Sequence, residues 1–335
     1  MAKTSPLADK LVTVFGGSGY VGNYVAQSLL ERGARLRIAS RNPEKAHTLQ
    51  PLANLGQLQF ARCDVTREVS VRAALHGSDY VVNLVGSFDG NLGELMGEAP
   101  GTIARLATEE GVQGMVHVSA IGADADGDTD YARAKARGEA NVREAFPNAT
   151  IMRPSIVFGP DDEFVNLFAG LIANFPVVPV FGYDKPIQLV FADDVAEAIA
   201  TALEHPGEHG GHLYELGGPE APTMLEIHQR IARAQGRTGR FLSVSDSSSK
   251  LFAMIPGTPM SMDQWKLLSH GNTVSGEHRT LADLGIQPRP LGLFLDKWMT
   301  RYRKFGRFGR SNERNKERIA RGTPRPGSGV GAETA

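Results

Sequence analysis

Cysteine is almost absent from this sequence, and so is any long run of apolar residues. Cys63 is the single cysteine among 335 residues, which excludes an internal disulfide and a cluster of cysteine metal ligands. No apolar run approaches the roughly 20 residues of a membrane-spanning helix. The N-terminal stretch MAKTSPLADK lacks an apolar core and an arginine-rich amphipathic pattern, so we expect no cleaved targeting segment and a cytoplasmic location.

An excess of charge of one sign is also missing over the whole chain. The 36 lysines and arginines nearly balance 37 aspartates and glutamates, giving a net charge of −1, so we expect no nucleic acid partner. The nine histidines show no metal-ligand spacing, and HPGEHGGH at 205–212 is predicted to be a polar turn. We therefore expect no metal site. With 41% hydrophobic and 22% charged residues, the composition is that of a folded globular protein.

Short apolar runs alternate with helix-length segments from residue 11 to about 156. This alternation indicates right-handed crossovers and a parallel sheet covered on both faces, which is an α/β fold of the Rossmann-type, doubly wound class. We predict a NAD(P)-binding Rossmann domain over 1–160 and a smaller C-terminal lobe over 161–300, completed by later segments. Residues 301–335 are predicted to be a basic, disordered tail, since they end in PRPGSGVGAETA.

Three glycines are spaced as Gly-x-x-Gly-x-x-Gly in VTVFGGSGYVGNYV, where a predicted strand turns into a predicted helix. The missing side chains allow the tight turn, the approach of the backbone to a pyrophosphate, and close packing of helix on strand. The helix N-terminus then faces the phosphates with unpaired N–H groups. A tight turn without a ligand is the alternative interpretation. The predicted contacts in this loop are Gly16, Gly17, Ser18, Gly19, Tyr20 and Gly22.

The end of the second predicted strand bears on the choice of nicotinamide cofactor. An acid about 20 residues past the glycines would bind the ribose 2'-hydroxyl of NADH, but RLRIASRNPEK offers Ser40 and Arg41 there and no acid before Glu44. Arginine pairs with a 2'-phosphate. We therefore favour NADPH over NADH, with a solvated loop charge as the alternative interpretation of Arg41.

Other predicted cofactor contacts follow later strands. Asp64 and the adjacent Val65, after FARC, are candidates for the adenine edge, and Gly86 follows the fourth strand and allows the backbone to approach the nicotinamide. Pro154, in the segment TIMRPSIVFG, completes this set.

Tyr131 and Lys135 lie four residues apart after the fifth predicted strand, on one face of a predicted helix. A free phenol has a pKa near 10, so proton transfer near neutral pH needs a neighbouring cation, which Lys135 supplies. Ser119, at the strand's end, is placed to donate a hydrogen bond to a substrate carbonyl. These three are the candidate catalytic residues if the protein is an enzyme, and candidate cofactor contacts otherwise.

The glycine spacing, Ser119, the Tyr131 to Lys135 spacing, RPSIVFGP at 153–160 and FADDVAEAI at 191–199 together resemble an extended or atypical short-chain dehydrogenase/reductase. The resemblance covers roughly residues 10 to 220. More narrowly, HVSAIGADADGDTDYARAKARGE, IMRPSIVFGPDDEFVNLFA and MSMDQWKLLSHGNTV resemble the family of NADPH-binding accessory subunits of respiratory complex I, NADH:ubiquinone oxidoreductase. This second likeness runs to about residue 300.

The narrower resemblance implies a nucleotide that is held tightly, outside the path of electrons, with a structural or regulatory role. It implies partner subunits of a membrane respiratory complex and a peripheral position on the cytoplasmic face of the inner membrane. It carries cofactor contacts over to Gly16, Gly19, Gly22, Arg41, Asp64, Tyr131 and Lys135.

Two departures from the catalytic pattern bear on turnover. Ala120 stands where catalytic extended members usually carry a second serine or threonine, and the segment 121–130 before the tyrosine is short. In a non-catalytic subunit, Tyr131 and Lys135 simply bond the nicotinamide ribose. The rival hypothesis is a free-standing reductase or epimerase acting on a sugar nucleotide or small carbonyl compound, with Tyr131 as proton donor. A redox-sensing regulator is a third possibility.

The C-terminal region holds two further features. Apolar residues cluster over 251–274 and are predicted to form either a satellite core or a contact surface; they are Phe252, Met254, Ile255, Met260, Met262 and Trp265. Residues 296–325 carry eleven basic side chains against three acidic ones. We predict that this segment contacts an anionic membrane surface or an acidic subunit, with a solvated tail as the alternative.

Overall fold

The structure is a computed structural model, and it describes residues 5–244 and 262–304. The strands are β1 Leu11–Phe15, β2 Arg35–Ser40, β3 Leu58–Arg62, β4 Tyr80–Asn83, β5 Gly114–Val118, β6 Thr150–Pro154, β7 Val157–Phe158, β8 Val177–Val180, β9 Val190–Phe191, β10 Leu213–Leu216 and β11 Arg240–Ser243. The α-helices are α1 Tyr20–Glu31, α2 Glu68–Leu75, α3 Ala99–Glu109, α4 Asp130–Ala145, α5 Phe164–Asn174, α6 Ala192–Glu204, α7 Pro206–His209, α8 Met224–Ala234, α9 Met262–Ser269 and α10 Gly292–Trp298.

Shorter helical turns complete the described chain. Segments of 3₁₀-helix span Pro43–Leu52, Leu281–Leu284 and Met299–Tyr302, and a π-helix spans Gly93–Glu98 just before α3.

Seven strands form one parallel sheet in the order β10-β6-β5-β4-β1-β2-β3. All residues of β1, β4 and β5 are buried, as expected of parallel strands with both faces covered. Successive residues face opposite cores, since Val82 packs with Leu29 and Ile199 on one face, whereas Val81 packs with Ile103 on the other. The predicted Rossmann-type α/β fold is therefore confirmed.

The strand order has a switch point at β1. From β1 the chain builds β2 and β3 on one side, and then crosses to place β4, β5 and β6 on the other. Loops that follow the strands on either side of such a point diverge and leave a crevice at the carboxyl ends, where ligands of open α/β sheets bind. The loop after β1, which carries the three glycines, lies in the middle of this edge.

Two small parallel sheets, β7 with β9 and β8 with β11, belong to a second buried cluster together with α5, α8 and α10. Stacked aromatic rings stabilise it; the centroids of Phe191 and Phe294 are 4.3 Å apart, and those of Phe294 and Trp298 are 5.2 Å apart. The chain returns from this region to the large sheet, because β10 pairs with β6.

Residues 301–304, which begin the segment predicted to be a tail, make contacts with the rest of the fold. Arg301 donates to the carbonyl oxygen of Pro160 at 2.6 Å, and Arg303 donates to that of Ala234 at 2.9 Å. Residues 305–335 lie outside the described residues. So do the side chains of the apolar cluster Phe252, Met254, Ile255, Met260, Met262 and Trp265.

Candidate cofactor site

The glycine loop joins β1 to α1 in a form that side chains would prevent. Gly16 has a φ of +76°, and a Cβ there would lie 3.1 Å from the carbonyl carbon of Leu84. A Cβ on Gly22 would lie 2.6 Å from the backbone of Gly17. Gly19 caps α1 without a side-chain hydrogen bond, and no acid occupies the first turn. The first N–H groups of α1 are thus left for an anionic ligand.

On the β2 side of this loop lies a cationic cleft of about 910 Å³. Ser18 Oγ donates to Ser40 Oγ at 2.9 Å, which ties the glycine loop to the end of β2. Ser40 is directly paired with Arg62 of β3, and Arg41 follows Ser40, so Arg41 and Arg62 both line the cleft. Within 5–244 and 262–304, neither guanidinium has a carboxylate at ion-pair distance, and both are free to meet an anion.

Asp64 is the one acidic residue among the described side chains that line this cleft. Its Oδ1 accepts hydrogen bonds from the hydroxyl and the backbone N–H of Thr66, at 2.8 and 3.1 Å, and these bonds lower the pKa of Asp64. Its Oδ2 lies 3.8 Å from Nε of Arg67, a third arginine of the cleft. Val65 instead packs into the buried cluster with Phe15, so its side chain is not among those that line the cleft.

On the β5 side of the loop, α4 brings together the candidate catalytic residues. Thr129 caps α4 by accepting a hydrogen bond from the N–H of Ala132 at 3.0 Å. Lys135, one turn after Tyr131, is buried and donates to the carbonyl oxygen of Val118 at 3.1 Å. Burial lowers the pKa of Lys135 to about 8, against the opposing effect of Glu139. The Lys135 Nζ lies 5.9 Å from the centroid of the Tyr131 ring.

Tyr131 is placed for contact rather than for easy loss of its proton. Burial raises the pKa of Tyr131 to about 12, because the phenolate would be poorly solvated. Its ring stacks on Phe88 with centroids 4.6 Å apart and planes 15° apart. Ser119 lies at the end of β5; its hydroxyl is buried and has no hydrogen-bond partner among the described residues.

The loop after β4 is held close to Lys135. Asn83 accepts a hydrogen bond from the N–H of Val85 at 3.1 Å and donates to His117 Nδ1 at 3.1 Å. Burial lowers the pKa of His117 to about 3, so the imidazole is neutral and accepts this bond. A Cβ on Gly86 would lie 3.6 Å from Lys135 Nζ, so glycine keeps the space beside the amine open.

A second cavity, of about 530 Å³, lies on this side of the glycine loop. Its lining includes Ser119, Ala120, Tyr131, Pro154 and Tyr20. The Tyr20 hydroxyl is buried with no partner among the described residues, and it lies directly over Gly159, where any Cβ would overlap it. Burial raises the pKa of Tyr20, so this hydroxyl stays protonated.

These observations fit a dinucleotide lying along the carboxyl edge of the sheet. Glycines leave room for its backbone contacts at the middle, unpaired arginines stand at one end, and the unpartnered Ser119 hydroxyl stands at the other. The sequence-based analysis missed Arg62, Arg67, Phe88 and His117. Arg62 could have been found from the sequence, because aligning the second and third predicted strands in parallel places Arg62 beside Ser40.

Comparison with known proteins identifies the family. A model of the NAD dependent epimerase/dehydratase family matches residues 12–217. The chain belongs to the NAD dependent epimerase/dehydratase family. The Citrobacter sp. triphenylmethane reductase complexed with NADP(H) shares the fold, with a TM-score of 0.70 and 20% identity over 86% of this chain and 99% of that one.

Two curated relatives of this epimerase/dehydratase family member are named as complex I subunits. NADH dehydrogenase (ubiquinone) 1 alpha subcomplex subunit 9, mitochondrial, from Mus musculus is 31% identical over 315 residues, covering 90% of this chain and 82% of the relative. The protein of the same name from Dictyostelium discoideum is 30% identical over 312 residues, covering 89% and 86%.

Two kinds of feature are absent from the described ranges of this family member. Over 5–244 and 262–304, none of the helices combines the length and the apolar character that crossing a bilayer requires. In the same ranges, no three or more histidine, cysteine, aspartate or glutamate side chains are grouped to hold a metal ion.

Proposed function

We propose that this chain is an NADPH-binding accessory subunit of a membrane-associated NADH:ubiquinone oxidoreductase, complex I. The observation that carries the proposal is the extent of the likeness to the complex I relatives. The epimerase/dehydratase match ends at residue 217, whereas the mouse relative aligns with 90% of the chain. The similarity therefore extends beyond the nucleotide-binding unit into the segments that build the second core.

In this proposal the nucleotide is NADPH. When bound, it supplies a hydride that is available for reduction. In this proposal the glycine loop and the N-terminus of α1 hold the diphosphate, and Arg41 and Arg62 hold the 2'-phosphate. Two guanidinium groups without carboxylate partners, among the described residues, support NADPH over NADH, because an arginine left unpaired gains most from a phosphate.

The nucleotide has mainly a structural or regulatory role in this proposal. A tyrosine that transfers protons near neutral pH needs its pKa lowered towards that range, but burial raises the pKa of Tyr131 to about 12. The protonated amine of Lys135 donates one hydrogen bond to the carbonyl of Val118, which leaves two N–H groups for the ribose. With Ala120 in the place of a second hydroxyl, these residues are better suited to hold the nicotinamide ribose than to transfer a proton.

The partners proposed are protein subunits of the respiratory complex and, through residues 296–325, an anionic membrane surface. We place the protein peripherally, on the cytoplasmic face of the inner membrane. Of the basic residues in this segment, Arg301 and Arg303 make contacts within the fold, and Arg303 lies 3.2 Å from Asp296. The proposed membrane contact rests on the excess of basic over acidic residues in 296–325.

Purification from its own membranes under mild detergent tests this proposal. We expect an affinity-tagged chain to co-migrate with the other complex I subunits in a native gel. Mass spectrometry of the nucleotide released by denaturation is expected to find NADPH or NADP⁺ at close to one per chain. Recovery as a free monomer would contradict the assignment to the complex, and release of NADH or NAD⁺ would contradict the cofactor preference.

A second candidate function, a free-standing reductase, is favoured by one observation. The unpartnered hydroxyl of Ser119 opens onto a cavity beside Tyr131, where a substrate carbonyl would bind. Tyr131→Phe separates the two functions. Loss of NADPH oxidation with a carbonyl substrate, while nucleotide binding persists, would favour the reductase.

A further inference from the structure

The 530 Å³ cavity next to Tyr131 has mainly apolar walls, although seven of its eighteen described lining residues are polar. Its described lining residues include no lysine and no arginine. The apolar side chains come from four separate parts of the chain, and they are Phe88, Ile121, Ile156, Val157, Phe164, Leu167, Phe168, Leu267 and Leu268. A ligand buried here leaves water for a hydrocarbon-like environment, which stabilises apolar molecules and destabilises charged ones.

Three of the seven polar lining residues, Ser155, Asp162 and Asn272, already have partners inside the protein. The Asp162 carboxylate accepts from the backbone N–H of Gly159 at 3.0 Å and from that of Val165 at 2.5 Å. Ser155 donates to Asn272 Oδ1, which also accepts from the N–H of Ile156 at 3.0 Å. These groups fix the walls and have little capacity left for a ligand.

Glu163 and Tyr131 also line the cavity, with Glu163 at an exposed position. Two further hydroxyls are buried and differ from this pattern. The Oγ of Ser119 belongs to a residue that is only 3% exposed, and it has no hydrogen-bond partner among the described residues. The Tyr20 hydroxyl is likewise buried and unpartnered. A buried hydroxyl without a partner costs free energy, so a ligand oxygen that meets it gains affinity from the bond.

The side of the cavity formed by α9 is attached to the large sheet region. Lys266 Nζ donates to the carbonyl oxygen of Asp128 at 2.8 Å, in the loop before α4. Leu267 and Leu268, the next two residues, line the cavity. The wall is therefore anchored next to Tyr131, and the cavity has a defined size.

We propose that this cavity binds a neutral, mostly apolar molecule whose carbonyl or hydroxyl oxygen meets the Ser119 hydroxyl, such as an aromatic or long-chain ketone. Sugar nucleotides are not expected in this cavity, because its described lining includes the carboxylates of Asp162 and Glu163 and no basic residue to offset a diphosphate. The inference goes beyond membership of a respiratory complex and does not depend on it.

Prodan, an uncharged naphthyl ketone whose emission moves to shorter wavelength in apolar surroundings, tests this site on the full chain. We expect saturable binding of one prodan per chain with that spectral shift. Ser119→Ala should weaken binding about five- to tenfold, the value of one hydrogen bond. Saturation at many prodan molecules per chain, absence of binding, or unchanged affinity in Ser119→Ala would overturn the proposal.

A matched pair of variants locates the probe. Leu267→Trp places a larger side chain in the cavity. It should weaken the binding of prodan at least about tenfold, because the closely packed walls cannot rearrange freely around the added volume. Leu293→Trp makes the same change on α10, where Leu293 is 65% exposed and outside the cavity, and should leave the affinity unchanged. Equal affinity in both variants would place prodan elsewhere and refute the site.

Competition separates this inference from the proposed function. UDP-glucose should fail to displace prodan, and displacement by it would overturn the ligand class. Nucleotide content is measured on the same samples by mass spectrometry. A chain that binds prodan as expected but releases no nucleotide would contradict the proposed cofactor role alone, whereas one that holds NADPH but ignores prodan would contradict the cavity inference alone.

Discussion

The two halves of the sheet's carboxyl edge present opposite chemistry to a ligand. Beyond β2 and β3, three arginines surround one carboxylate in the cationic cleft. Beyond β5 and β6, the described lining of the apolar cavity has no basic residue but includes Asp162 and Glu163, and its buried polar groups without partners are hydroxyls. The glycine loop after β1 lies between them. One edge of the sheet thus presents basic residues at one end and mainly apolar residues, with no base among those described, at the other.

Breaking the glycine loop should produce the largest effect, since both halves depend on it. In Gly22→Ala, the new Cβ lies 2.6 Å from the Gly17 backbone, so the loop must shift. We expect a loss of about 3 kcal/mol in the free energy of unfolding and loss of NADPH binding, measured by chemical denaturation and nucleotide fluorescence.

Gly170→Ala is the matched control, because nothing lies within 4 Å of a Cβ at Gly170 in α5. This variant should be unchanged or more stable by up to about 1 kcal/mol. Equal stability and equal NADPH affinity of the two variants would show that α1 and the glycine loop can accommodate a Cβ at position 22.

Removing the charges of the cationic cleft should have the second-largest effect. Arg41→Gln and Arg62→Gln are each expected to weaken NADPH by about 10- to 100-fold, the range of one hydrogen bond to a charged group. NADH affinity should change little, because NADH has no 2'-phosphate. Calorimetric titration with both nucleotides measures the difference.

Arg35→Gln removes the same charge at the other end of β2, where Arg35 is exposed and outside the cleft. It should leave the preference for NADPH intact. Equal losses for NADPH and NADH in the Arg41 and Arg62 variants would refute their role in selecting the phosphate.

In the protein without nucleotide, Lys135 is expected to lower the free energy of unfolding. Its pKa falls from 10.5 to about 8 on folding, so near neutral pH the folded chain keeps a charged amine in a buried place. Lys135→Met should therefore raise the free energy of unfolding by about 1–2 kcal/mol at neutral pH. The same variant should bind NADPH more weakly.

The pH dependence has a definite sign. Between pH 8 and pH 10.5 the folded wild type loses this proton while the unfolded chain keeps it, so wild-type stability rises relative to Lys135→Met and the gap closes. Lys45→Met, at an exposed position, should show no such trend. A gap that stays constant with pH would contradict the buried charge.

Added salt should have the smallest of these effects, and it should change ligand affinity in one half of the sheet edge but not in the other. Raising NaCl from about 50 mM to about 500 mM shortens the screening length severalfold, so NADPH affinity should fall about three- to tenfold. Prodan affinity should stay within about twofold, because no charge enters the apolar cavity. An equal response of both ligands would remove the distinction between the cleft and the cavity.

The fold was largely predictable from local patterns. Alternating apolar runs and helix-length segments predicted the parallel sheet, and the glycine spacing predicted the turn from β1 into α1. Parallel strands place their carboxyl ends on one edge, so the clustering of Arg41, Asp64, Ser119 and Tyr131 along that edge followed from the same argument.

Long-range placement was not predictable in the same way. The pairing of β10 with β6 joins segments separated by about sixty residues, and no local pattern specifies such a contact. Phe88 reaches Tyr131 from a loop whose path depends on the Asn83 to His117 hydrogen bond. The free hydroxyl of Ser119 depends on its surroundings in the folded chain, which sequence spacing does not describe.

The register of β2 against β3 has a consequence for how the preference between NADPH and NADH changes between related chains. Deleting one residue of β3 before Arg62 would bring Cys63 opposite Ser40 in place of Arg62. An arginine would leave the phosphate end and a thiol would replace it. Removing two residues restores the alternation of side chains but brings Asp64 rather than an arginine opposite Ser40, so any such change of length in this short strand should reset cofactor choice.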